Sequence, residues 1–169
     1  KLWQMYDCPV WARNLRMLPT IAYSGEIDKQ KQAADVMAEA CWNLPENERF
    51  ELTHIIAPKT AHKIDPAARL EIERRLATLD TMRSLEPLKN VSFTTTTLKY
   101  NHAHWVTINA LQEHWTAANV TASFGSDPVI SLIVDNVTDL TLNLEANRIP
   151  WTTSAISVLL GRDHFRVAK

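Results

Sequence analysis

Two short apolar runs, with a helix-length segment between them, constrain the fold of this chain more than any other feature. Thr20-Ile-Ala-Tyr23 follows Pro19 and is ended by Ser24-Gly25, and Glu51-Leu-Thr-His-Ile-Ile-Ala57 is closed by Pro58. Mostly apolar runs of this length fit strands buried on both faces of a parallel sheet. Between them, Lys29 to Trp42 places Ala33, Met37, Ala40 and Cys41 near one helical stripe, with Val36 beside it. Pro45 then stops the helix. After the second run, Asp65-Pro66 is a helix start, an N-cap residue with proline at the first helical position. Leu70, Ile72, Leu76 and Leu79 carry an amphipathic helix on to about Arg83. Strands separated by helices of this length predict a parallel crossover unit.

The chain changes character near residue 84. Ser84 to Asn90, with Pro87, reads as a linker. Beyond it, β-branched and aromatic residues dominate. Val91 to Tyr100 reads as one long strand. Further strands are expected at Trp105–Asn109, Asn119–Phe124, Val129–Val134, Leu140–Leu144, Ala155–Leu160 and Phe165–Val167. The expected organisation is an α/β domain over 1–84, a linker over 85–90, and an all-β domain, sandwich or jelly-roll-like, over 91–169.

Each apolar run of the first part is followed by a loop that displays one polar residue. The first is Tyr23-Ser-Gly-Glu-Ile-Asp28, the second Pro58-Lys-Thr-Ala-His62. The carboxyl ends of parallel strands are where open α/β sheets keep their sites. An acid and then a histidine in this order is the second half of a Ser…Asp…His triad. In a triad the histidine accepts the serine proton only if a carboxylate holds its other ring nitrogen in the right tautomer. Asp28 and His62 are therefore the candidate catalytic residues. The plain alternative is that Asp28 caps the helix behind it and His62 is an ordinary loop histidine. No Gly-x-Ser-x-Gly elbow occurs in the chain. Ser24 lacks the first glycine of an elbow and precedes the acid in the wrong strand, so it is not expected to be a nucleophile.

The stretch from Tyr6 to His62 resembles the C-terminal end of a prolyl-oligopeptidase-type serine hydrolase of the α/β-hydrolase superfamily. The residues that carry the likeness are Pro19-Thr-Ile-Ala-Tyr-Ser-Gly-Glu-Ile-Asp28-Lys-Gln-Lys-Gln-Ala-Ala and His54-Ile-Ile-Ala-Pro-Lys-Thr-Ala-His62. Phe93-Thr-Thr-Thr-Thr-Leu-Lys-Tyr-Asn101, His104-Trp-Val-Thr107 and His114-Trp115 resemble a β-rich tail that follows the hydrolase domain in some large bacterial members. The resemblance implies that Asp28 is the triad acid and His62 the general base. It also implies a peptide or ester substrate for the complete parent protein, and contact with a preceding part of the hydrolase domain. The nucleophile and the oxyanion-hole loop are then expected upstream of Lys1. Ala61 departs from the glycine often found before the histidine. The segment Trp42 to Phe50 reads as looser and more polar than a usual connection.

Other classes are disfavoured. A net charge of −1 is too balanced for a phosphate-binding surface, so no nucleic-acid partner is expected. No apolar run approaches the roughly 20 residues of a membrane span. Cys8 and Cys41 suit two buried thiols better than a disulfide, and sequons at Asn90, Asn119 and Asn136 do not establish secretion. His102, His104 and His114 lack the companion ligands of a zinc site, so neither metal nor cofactor is expected. Trp105, Trp115 and Trp151 raise a second reading, a non-catalytic β-sandwich module that binds partners or stacks sugars on exposed rings. Against it, the same rings are expected to fill a core.

Overall fold

The computed structural model describes residues 3–81, 88–144 and 155–168, with only the backbone of 80, 81, 167 and 168. Most of the expected linker, and Trp151, fall outside these residues. The chain divides into two compact units, Asp7–Leu85 and a second formed by Glu86–Lys169 with Lys1–Tyr6. The short helix α1 (Trp3–Tyr6) thus belongs with the β-rich unit, where the sequence predicts it in the first domain.

In the first unit, a 3-10 segment (Cys8–Met17) leads to β1 (Ile21–Gly25). Helix α2 (Lys31–Trp42) crosses to β2 (Thr53–Ala57), and α3 (Pro66–Thr81) follows. β1 and β2 pair in parallel, from Ile21 opposite Thr53 to Gly25 opposite Ala57. The predicted crossover is therefore present, and the strands end level, so their following loops emerge side by side. Among the described residues neither strand pairs on its other edge.

The core of this unit is Ala12, Cys41 and Leu52, with Leu15, Ala22, Met37, Ala38, Ala40 and Phe50 packed on it. The helix faces differ from those expected. In α2 the inward stripe is Ala34, Met37, Ala38 and Cys41, at the i, i+3, i+4, i+7 spacing of one face, while Ala33 and Val36 are exposed. In α3 Ala68 is buried and Ile72 and Leu79 half-buried, while Leu70 and Leu76 are exposed. Leu70 lies about 200° round the helix from Ile72. Leu76 sits at the margin of the stripe, beyond what a two-stranded sheet covers. Nor is the Trp42–Phe50 connection loose. Glu48 accepts two hydrogen bonds from the Arg13 guanidinium, the Nε contact at 2.7 Å, and Phe50 joins the core. The same guanidinium holds the Glu48 carboxyl below its usual range. Cys41 is buried but Cys8 is exposed, and no bridge joins them.

The second unit contains β3 (Asn90–Thr95), β4 (His102–Ala103), β5 (Val106–Leu111), β6 (Ala118–Phe124), β7 (Val129–Asp135), β8 (Val137–Leu142), β9 (Ala155–Leu160) and β10 (Asp163–Ala168). They form a five-stranded sheet, β10-β9-β7-β6-β3, and a three-stranded sheet, β4-β5-β8. All pairs are antiparallel except β7 with β9. The parallel pair arises because β8 leaves for the other sheet before the chain returns. The expected strand Val91–Tyr100 stops at Thr95. There Thr95 Oγ1 accepts from the Thr97 N–H, and Thr97 Oγ1 from the Lys99 N–H, opening a 3-10 turn over Leu98–Tyr100. Threonine hydroxyls compete with ladder bonds in this way.

Alternation sets the core of this unit. Val91 and Phe93 pair with Ala122 and Val120, and Leu132 and Ile130 lie opposite Ala122 and Phe124, so all face one side. Trp105, at the β4–β5 turn, is fully buried with its ring edge-on to Phe124 at 5.5 Å. Its indole N–H donates to the Leu88 carbonyl at 2.7 Å. The corner between β7 and β8 is Asn136, in the left-handed region at φ 56°. Its side chain accepts from the Glu113 N–H and donates to the Glu113 carbonyl, tying down the loop before β6. No described helix is long and apolar enough to cross a membrane.

Candidate active site

The loops after β1 and β2 meet because Gly25 lets them. A β-carbon at Gly25 would lie 2.2 Å from the Thr60 carbonyl oxygen and 2.4 Å from that of Ala61. Only a residue without one allows this approach. The two loops are then laced together by backbone. The Glu26 N–H donates to the Ala57 carbonyl at 2.9 Å, and the Ile27 N–H to the Thr60 carbonyl at 3.1 Å.

Within this frame, Asp28 Oδ2 lies 2.9 Å from His62 Nδ1. The other carboxylate oxygen, Oδ1, accepts from the Gln30 N–H at 2.9 Å. Asp28 is thus a local turn-former on one side and a histidine partner on the other. It is not the cap of α2, because the helix starts at Lys31 and the N-cap position is Gln30. By contrast Asp65 caps α3 as expected, Oδ2 accepting from the N–H groups of Ala67 and Ala68. The bond from Gln30, reinforced by His62, holds the Asp28 carboxyl below the usual aspartate range. Ionised, Asp28 can only accept, so a neutral imidazole paired with it carries its proton on Nδ1 and its lone pair on Nε2.

His62 sits in a tight turn in which the Lys63 N–H donates to the Ala61 carbonyl at 2.8 Å. Its side chain is 76% exposed, that of Asp28 only 12%. The acid is sheltered and the imidazole faces outward, the disposition a proton acceptor for an incoming group requires. Ala61 in place of glycine does not displace the histidine.

A second Ser, His and Asp set lies beneath this pair. The Ser24 hydroxyl is 3.0 Å from His54 Nε2, and His54 Nδ1 is 3.6 Å from Asp35, which also binds Lys31 at 2.7 Å. The 3.6 Å separation is too long for a hydrogen bond. Ser24 is buried inside β1. The set fastens β1 to β2 and reaches towards α2. Ser24 presents no nucleophile to His62, and His54 is a hydrogen-bonded interior histidine.

A cavity of about 760 Å³ opens at the other end of the two strands, among Leu15, Ile21, Phe50, Thr53, Arg75 and Leu79. Its lining includes Ile21 and Thr53, at the opposite strand ends from the loops that carry Asp28 and His62. Among the described residues no three His, Cys, Asp or Glu side chains converge to hold a metal ion. His102 Nδ1 instead pairs with Thr107 Oγ1 at 2.9 Å. Trp105, sealed in the core, offers no face for a sugar.

Sequence reading had missed three supports of the pair: Gly25 as the point of close approach, Glu26, and Tyr23. Their signal was present in the run Tyr23-Ser-Gly-Glu, but the partners are backbone groups more than thirty residues away. No family model, curated protein or solved structure matches this chain.

Proposed function

We propose that this chain carries the acid and base of a serine-hydrolase active site of the prolyl-oligopeptidase type. On this reading residues 7–85 are the last parallel strands and helices of an α/β-hydrolase domain, and the β-rich unit is an appended sandwich or jelly-roll-like domain. Asp28 orients His62 and stabilises the imidazolium. His62 Nε2 takes the proton of a serine supplied by polypeptide outside these 169 residues, then returns it to the leaving group. The substrate is a peptide or an ester. The single observation that supports this is the 2.9 Å contact between a sheltered carboxylate and an outward-facing imidazole, on adjacent loops past parallel strand ends.

On this reading the nucleophile and the oxyanion donors come from other polypeptide, and the chain alone has no route to acyl transfer. Purified protein is expected to show no ester or amide turnover above background. In a longer polypeptide that includes a Gly-x-Ser-x-Gly elbow, Asp28→Asn should lower kcat by about 10⁴-fold, the loss seen for a wrong-tautomer triad. His62→Ala should abolish turnover to a similar degree. Unchanged kcat in both variants would refute the assignment.

A further inference from the structure

We propose that Tyr23 and Glu26 are positioning residues that grip the His62 loop from both sides and fix the ring against Asp28. His62 is mostly exposed, so packing alone does not hold it. The loop is held through its main chain. On the N-terminal side, Glu26 Oε2 accepts from the Lys59 N–H at 2.7 Å. Lys59 is in the left-handed region at φ 51°, a conformation uncommon for lysine that this bond helps to maintain. On the C-terminal side, the Tyr23 hydroxyl donates to the Lys63 carbonyl at 2.9 Å and accepts from the Asp65 N–H at 2.9 Å. One phenol therefore closes the segment from His62 to the cap of α3. Both side chains come from β1 or the turn that also carries Asp28. Acid and histidine are thus referred to the same short stretch, Tyr23 to Asp28, and an error in one loop is shared by the other. Preorganisation of this kind matters because small misplacements of a catalytic group cost large factors in rate.

The inference deepens the acid–base reading and rests on it. The test uses the whole ¹⁵N-labelled chain under mildly alkaline conditions, reading the His62 ring tautomer from its nitrogen shifts and amide exchange at Lys59 and Asp65. The unaltered chain should show one tautomer, protonated at Nδ1. Glu26→Ala should lower protection at Lys59 by roughly tenfold, since a bond to a charged acceptor is lost, and should mix the tautomers of His62. Glu26→Gln, which keeps an acceptor oxygen, should restore most of both. Tyr23→Phe, which keeps the ring, should lower protection at Asp65 and mix the tautomers too. Unchanged signals from Ala22 and His54 report that the unit stays folded. If Glu26→Ala and Tyr23→Phe lose amide protection while the tautomer stays single, the positioning role is wrong and the bonds are structural only. Asp28→Ala separates the two ideas. If it mixes the tautomers and the other variants do not, the pair stands and the positioning fails. If it too leaves the tautomer single, the acid–base pair itself fails.

Discussion

The two units solve the problem of burial in opposite ways. The β-rich unit encloses large side chains completely: Trp105, Ile108, Ile130, Val91, Val106 and Val120 are all sealed from solvent. The unit around Asp28 and His62 buries mainly small ones, Ala12, Cys41, Ala57 and Ala68, and leaves Val36, Trp42, Ile56, Ile64, Leu70 and Leu76 exposed. The β-rich unit has eight described strands in two sheets to bury side chains against, whereas a two-stranded parallel sheet offers only a narrow surface to its helices. Parallel strands are normally covered on both faces and paired on both edges. The difference teaches that the candidate site is built locally, by loop lacing around Gly25, and does not depend on a large core.

The comparison can be broken most forcefully at Trp105. Trp105→Ala should cost about 3–5 kcal/mol and unfold the β-rich unit first, leaving the Asp28–His62 signals intact. Loss of both sets together in urea titration would show one cooperative body instead of two. At Gly25 the expected effect is smaller but aimed at the site. Gly25→Ala forces backbone apart and should cost about 1–3 kcal/mol, with loss of the single His62 tautomer. A variant as stable as the parent, with the tautomer preserved, would dismiss the close approach as a constraint. Leu70→Glu with Leu76→Glu should change stability by no more than about 0.5 kcal/mol each, because both are exposed. A larger loss in the double variant would show that the α3 surface carrying them is covered. The smallest effect is that of pH. Asp28 has a lowered folded-state pKa, so its contribution is present above the usual aspartate value of about 3.9. It fades as pH falls through the lower folded value. The Asp28 carboxyl carbon should report loss of the contact only there, and a carboxyl that titrates at or above the usual aspartate value would contradict the pairing.

The crossover was legible because Pro19, Pro45, Pro58 and Asp65-Pro66 punctuate it and because apolar runs of strand length stand between them. The positions of Asp28 and His62 followed from strand-end logic. The helix faces were read less well, since a stripe drawn from hydrophobic residues alone favoured Leu70 and Val36 over Ala34 and Ala38. Small residues do the packing there, and their signal is weak. The long strand after Val91 was overextended because threonine counts as a strand former in isolation, yet at Thr95 and Thr97 its hydroxyls bind backbone and end the ladder. β7 beside β9 had no local signal.

Local chemistry therefore settled what each segment is: strand, capped helix, polar loop, and which two loops carry an acid and a histidine. Tertiary structure alone decided that those two groups meet at 2.9 Å, that Gly25 makes room for the meeting, and that β8 departs so that β9 runs parallel to β7. The physical reason is range. Propensity and capping act over a few residues, whereas these contacts join backbone and side chains that only packing brings together.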